Sequence, residues 1–117
     1  ERLVMFRVFA LSTLLAASAA HADPNLRIHY RENVTLDVGQ SVVVHGMRGR
    51  ACGVAPRSRR VSPSTTELGS LSLGRAGVRA SAACNGDTPA IEVIFTARRR
   101  GSEIITLFGD RVQIHVR

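Results

Sequence analysis

Cys52 and Cys84 are the two cysteines of the 117-residue chain and its most reactive side chains. Their chemistry depends on compartment. In an exported chain two cysteines allow one intramolecular pairing, and closing so long a loop would add about 3–4 kcal/mol through the entropy of the unfolded chain. Two free buried thiols are the alternative, and a metal site is disfavoured because the pair lacks the C-x-x-C spacing of a zinc ligand set. His29, His45 and His115 each fall on the solvent-facing side of a strand-like alternation. They would meet on a metal only if their strands were neighbours, so three exposed histidines and no metal or cofactor are expected. No serine lies in a G-x-S-x-G elbow and neither cysteine has a nearby His and acid partner, so no catalytic residue is assigned. Glu92, between Ile91 and Val93, is the most suggestive carboxyl group. Burial there would raise its pKa, whereas exposure to solvent or an arginine across the sheet would keep it charged; the second arrangement is expected.

All 16 basic residues are arginine, set against 9 acidic ones, for a formal charge of +7. Arg48, Arg50, Arg57, Arg59 and Arg60 stand among Gly, Ser and Pro, and Arg98, Arg99 and Arg100 form a second run. These eight are the candidate binding residues. A nucleic-acid partner is argued against by the scarcity of stacking groups, since Tyr30, Phe95 and Phe108 are the only aromatics after residue 22. Two readings of the charge stand beside each other. One is solvated loops whose lysine-free composition reflects GC-rich coding; the other is an anionic envelope partner such as lipopolysaccharide phosphates or acidic glycans.

The elements that must carry these residues begin after a leader. Arg2 and Arg7 flank the apolar run Val8–Ala17, and Ala20-His21-Ala22 closes it, which predicts a Sec signal peptide over residues 1–22 cut after Ala22, with Met5 a candidate natural start. A membrane anchor is the rival reading, but the run falls short of the roughly 18 residues a bilayer demands, so no lasting membrane insertion is expected. The remaining 23–117 domain has 14 Arg against 8 Asp and Glu, a formal charge of +6. A periplasmic or extracellular location follows from the leader. Asn33-Val34-Thr35 matches a glycosylation sequon, read here as chance.

Period-two alternation then dominates. Leu26, Ile28 and Tyr30 share one face; Val34, Leu36 and Val38 follow, with a break at Gly39-Gln40, and then Ser41–His45. The pattern lapses from Gly46 to Pro63, predicting a long loop. It resumes at Leu68, Leu71 and Leu73, turns at Gly74–Gly77, and places Val78, Ala80, Ala82 and Cys84 on one inward face. Asn85–Pro89 is turn chemistry, Ala90–Ala97 reads as a central strand, Arg98–Gly101 turns, and two strands flank a Gly109-Asp110 loop, with Val112, Ile114 and Val116 facing the core. The expected fold is all-β, a sandwich of about seven or eight short strands.

The run Val34-Thr-Leu-Asp-Val-Gly-Gln-Ser-Val-Val-Val44 resembles the opening strands of bacterial immunoglobulin-like domains, which pass from one sheet to the other. Gly101–Thr106 with Val112–Val116 is similar to their closing pair, while the tryptophan of antibody domains is missing. The resemblance implies an immunoglobulin-like sandwich and no particular activity. With no catalytic motif found, the expected function is non-enzymatic binding through the arginine-rich loops, to a protein or an anionic envelope component. A peptidase inhibitor like the chagasin family is the alternative; its N-P-T-T-G loop is absent, Ser62-Pro63-Ser64-Thr65-Thr66 being a superficial echo. A small enzyme of unrecognised type is a third.

Overall fold

The computed structural model describes residues 22–117, so the leader expected over 1–22 lies outside the described residues but for Ala22. Six strands build two three-stranded sheets: β1 (Asn33–Leu36), β2 (Ser41–Arg48), β3 (Gly69–Ser81), β4 (Gly86–Ala97), β5 (Gly101–Leu107) and β6 (Asp110–Val116). One sheet has the order β1-β6-β5 and the other β2-β4-β3. The chain passes between sheets after β1, where the Asp37 N–H donates to Gln40 Oε1 at 2.8 Å and the Gly39 N–H to the Ala97 carbonyl at 2.7 Å. β1 then pairs parallel to β6, with Val34 beside Ile114.

Alternation explains the core. Val112, Ile114 and Val116 of β6 point inward with Arg111, Gln113 and His115 outward, as the sequence predicts. Val93, Phe95 and Ala97 of β4 meet them, and Phe95 is wholly buried. Truncating such a residue to Ala costs about 3–5 kcal/mol through lost transfer energy and the cavity left behind. β4 is central in its sheet, and Pro89 is tolerated there because β2 ends opposite Ala90, so beyond that point no second neighbour asks for an N–H.

Several local expectations are corrected; among them, Gly86–Pro89 opens β4 instead of forming a turn. Residues 26–30 do not form a strand, and the stretches before and after Gly74–Gly77 merge into the single strand β3, so the expected seven or eight strands become six among the described residues; an isolated bridge joins Arg27 to Val78. The segment instead stitches two strands of one sheet, with the Ile28 N–H donating to the Val78 carbonyl at 2.8 Å and the Arg31 N–H to the Val44 carbonyl at 2.9 Å. Leaving the ladder after Ile28 is why Ile28 is buried while Tyr30 is exposed. Gly74–Gly77 is no turn but a bulge inside one 13-residue strand, the register slipping between Leu73 and Ala76. The long loop starts at Gly49 rather than Gly46, because Gly46, Met47 and Arg48 continue β2. Gly46 suits that position: a Cβ would stand 3.0 Å from Ile28 Cγ2 and 3.2 Å from Arg79 Cδ.

The last correction concerns two turns. Cys84 leaves the strand, sitting half-buried in a 3₁₀ turn at Ala82–Cys84 that Asn85 ends with φ 53°. The loop between β5 and β6 is Phe108-Gly109, not Gly109-Asp110, and Asp110 pairs with Leu107. Both loop residues have positive φ, 54° and 84°, the pair of values a two-residue I′ turn demands.

Candidate functional site

The Cys52–Cys84 disulfide forms, with S–S 2.09 Å and Cα atoms 5.5 Å apart. It ties the start of the 49–68 loop to the turn after β3. The Gly53 N–H donates to Thr88 Oγ1 at 3.0 Å, and the Val54 N–H to the Ala51 carbonyl at 3.2 Å. Beneath this anchored segment is a hollow of about 260 Å³, floored by Met47, walled by Val54, Ala55 and Pro56, and rimmed by Arg48, Arg50 and Arg57. The Arg48 guanidinium is held in place by donating to Ser81 Oγ at 2.9 Å, with Cys84 Sγ 3.4 Å away.

The eight candidate arginines separate into three groups. Arg48, Arg50 and Arg57 surround the hollow just described. Arg59 and Arg60 line a different depression against Leu71, Ser72 and Leu73 of β3. Arg98, Arg99 and Arg100 connect β4 to β5 at the opposite end of the sheet, where Ser41 pairs with Thr96 rather than Arg48 with Ala90. The backbone N–H groups of Arg98 and Arg99 both donate to the Leu68 carbonyl, at 2.8 and 3.0 Å. Among the described residues, the ion pairs are Arg27–Asp87, Arg75–Glu92 and Arg117–Asp37, and neither these nor the His45–Asp110 hydrogen bond uses any of the eight. Their charge is therefore available to a partner.

His45 departs from its expected exposure and is completely buried. The cause is a bulge between Val43 and His45, which breaks the alternation so that the adjacent residues Val44 and His45 are both buried. Its Nε2 lies 2.8 Å from Asp110 Oδ2, and its Nδ1 accepts the Gly46 N–H at 2.7 Å. A nitrogen that accepts carries no proton, so the ring is the neutral Nε2–H tautomer. Burial foremost pushes its pKa below the ordinary histidine value, and the Arg79 charge acts the same way against the opposing pull of Asp110. The rings of Tyr30 and Phe108 flank it at 5.0 and 5.2 Å, the second edge-on, and the Tyr30 hydroxyl donates to the Arg111 carbonyl. With both ring nitrogens engaged, His45 has no free lone pair for proton abstraction. His29 and His115 are exposed as expected. Among the described residues no three His, Cys, Asp or Glu side chains converge as a metal site.

Beside the histidine, a second cleft of about 570 Å³ is lined by Arg48, Arg79, Ser81, Phe108 and Asp110. Arg48 thus borders both hollows. Arg79 donates to the Gly46 carbonyl at 3.0 Å. Arg79 and Ser81 were not singled out in the sequence, where an arginine inside an alternating stretch looks like an ordinary outward strand residue. The Val42-Val43-Val44 run gave no decisive signal, because it fits a strand apolar on both faces as well as a bulged one.

Glu92 is buried and pairs across the sheet as expected. It accepts the Arg75 backbone N–H at 2.8 Å and the Arg75 guanidinium at 3.0 and 3.3 Å. Burial alone would raise its pKa, but these hydrogen bonds and the arginine charge outweigh burial and hold it below the ordinary carboxyl value. The β3 bulge at Gly74 and Arg75 is what aims both donors at the carboxylate.

No protein-family model matches the chain, and neither a curated protein nor a solved structure does. The arrangement itself is a disulfide-tied cationic rim over an apolar hollow, with a second arginine cleft adjoining it. Such a surface favours an anion carrying an apolar portion, because guanidinium groups supply charge-assisted donors while Met47, Val54 and Pro56 shed water.

Proposed function

We propose that this chain is an exported, non-enzymatic recognition domain of immunoglobulin-like topology that binds an anionic envelope partner through the arginines around the 49–68 loop. The topology reading is supported by strand order: β2-β4-β3 matches the B-E-D arrangement of immunoglobulin sheets, and β6-β5 the G-F pair. Export is supported by the disulfide, a bond that persists in oxidising compartments, together with the leader-like N-terminus. The observation that carries the binding reading is the convergence of Arg48, Arg50 and Arg57 on one apolar hollow with no carboxylate partner among the described residues. Cations left unpaired on a protein surface are cheap to hydrate but attract polyanions over a Debye length, so the association is salt-sensitive.

The test is retention of the 23–117 domain on immobilised lipopolysaccharide and on an acidic glycan while sodium chloride is raised from about 0.05 M to about 0.5 M. Retention lost across that range, and weakened about tenfold by the Arg50→Ala/Arg57→Ala double variant, is the expected result. Absence of salt-sensitive retention on both matrices, or an unchanged double variant, defeats the reading. An Arg98→Ala/Arg99→Ala/Arg100→Ala variant that alone abolishes retention moves the site to the opposite end of the sheet.

A further inference from the structure

β5 closes its sheet on one side only, pairing with β6 from Gly101↔Val116 to Leu107↔Asp110. A two-residue hairpin loop makes its flanking pair, Leu107 and Asp110, exchange hydrogen bonds, and the exchange then alternates along the ladder. Leu107, Ile105, Glu103 and Gly101 therefore spend their backbone groups on β6. The N–H and C=O of Ser102, Ile104 and Thr106 point to the other side, where none of the loop hydrogen bonds of the described residues reaches them. All three residues are exposed, Ile104 at 53%.

The other sheet shows how this fold treats such an edge. The outer side of β3 is covered near both ends: the Leu71 N–H donates to the Ser64 carbonyl at 2.8 Å, and the Val78 N–H to the Leu26 carbonyl at 2.9 Å. β5 has no such cover among the described residues. Its inward face carries a second anomaly. Glu103 Oε1 is buried and has no hydrogen-bond partner, the one such side-chain atom among the described residues. A buried acceptor without a donor costs about 1–3 kcal/mol, and the structure has not removed that cost internally.

We infer that the open edge of β5 is a docking site for an extended peptide strand that places a basic side chain against Glu103. The two anomalies have one remedy. An added antiparallel strand would satisfy the backbone of Ser102, Ile104 and Thr106, and its residue opposite Glu103 would sit on the same inward face. That position is a non-hydrogen-bonded pair on the new side, where opposed side chains lie closest, so a lysine or arginine there pairs with the Glu103 carboxylate, whose covered oxygen a rotation of the side chain presents. The residue opposite Ile104 faces outward and is best apolar. A second copy of this chain is the poorer occupant: pairing β5 with itself about Ile104 sets Glu103 against Ile105 of the other copy and leaves the oxygen unpartnered. This site is separate from the arginine surface and does not depend on it.

The experiment uses the 23–117 domain and a short capped peptide, Thr-Val-Val-Lys-Thr-Val, whose lysine falls opposite Glu103, with its Lys→Gln counterpart as control. The expected result is saturable binding of the lysine peptide, with slowed amide hydrogen exchange at Ser102, Ile104 and Thr106. Glu103→Gln, which keeps the side-chain shape, weakens the lysine peptide about tenfold and leaves the glutamine peptide unchanged. Arg50→Ala/Arg57→Ala leaves both peptides unchanged, which separates this site from the anion surface. Three results overturn the inference: no binding of the lysine peptide, equal binding of both peptides to the unaltered domain, or protection of the same amides by raised protein concentration alone, which would identify self-pairing.

Discussion

Nε2 of His45 donates to Oδ2 of Asp110 across 2.8 Å, joining β2 of one sheet to the first residue of β6 in the other. The imidazole is fully buried while the carboxylate is half-exposed. Removing the acceptor therefore strands a buried N–H, whereas replacing it by a neutral acceptor does not. Asp110→Ala is expected to cost about 1–3 kcal/mol in urea unfolding, with Asp110→Asn recovering most of the loss. Equal stability of the two variants would show that the bond has no part in holding the sheets together.

The same histidine makes stability depend on pH. Its folded pKa lies below the ordinary value, so the unfolded chain takes the proton first. The contribution is present above the unfolded pKa of about 6.5 and is lost as pH falls from there toward the folded value. Urea midpoints measured from about pH 8 down to about pH 5 should decline through that window, and His45→Gln should flatten the decline.

Glu92 and Arg75 give a second window at lower pH. Because Glu92 is held below its ordinary value in the fold, its contribution is present above the unfolded carboxyl pKa of about 4.3 and disappears as pH falls through the folded one. Arg75→Ala should lower the urea midpoint at neutral pH. The gap between variant and parent should close in acid, once the carboxylate is protonated in both; a gap independent of pH would mean that the arginine acts by packing alone.

The disulfide closes a sequence separation of 32 residues. Cys52→Ser/Cys84→Ser is expected to lose about 3–4 kcal/mol of stability, since the unfolded chain regains the entropy of that loop. Gly49–Ser58 should also become accessible to limited proteolysis in the double variant, because the tie that seats the segment over Met47 is gone. Unchanged cleavage would place the seating in the Gly53–Thr88 hydrogen bond instead.

How far the fold could be read in advance depended on how local its causes were. Val112, Ile114 and Val116 announced their inward face through alternation, and Ala90–Ala97 its central place through apolar residues on both faces, because a strand's side-chain period is a property of the backbone alone. The passage from β1 to β2 at Gly39-Gln40 was equally visible, being turn chemistry between two Val-rich runs. The pairing of Cys52 with Cys84 followed from there being no other cysteine. The arginine loops were identifiable as charged and irregular from composition.

Tertiary structure decided whatever depended on register. A bulge shifts every later side chain to the other face, and whether one forms is set by the partner strand, not by the residues themselves. That is why His45 is buried against Asp110 rather than exposed, and why Gly74 and Arg75 form a bulge serving Glu92 rather than a turn. Which of the eight arginines stand together was likewise beyond the sequence, because the 49–68 loop lies between the two ends of the β2-β4-β3 sheet and divides them. The open edge of β5 and the unpartnered oxygen of Glu103 were hidden for the same reason: an edge is defined by a neighbour that does not come, and only the assembled sheets show which strand lacks one.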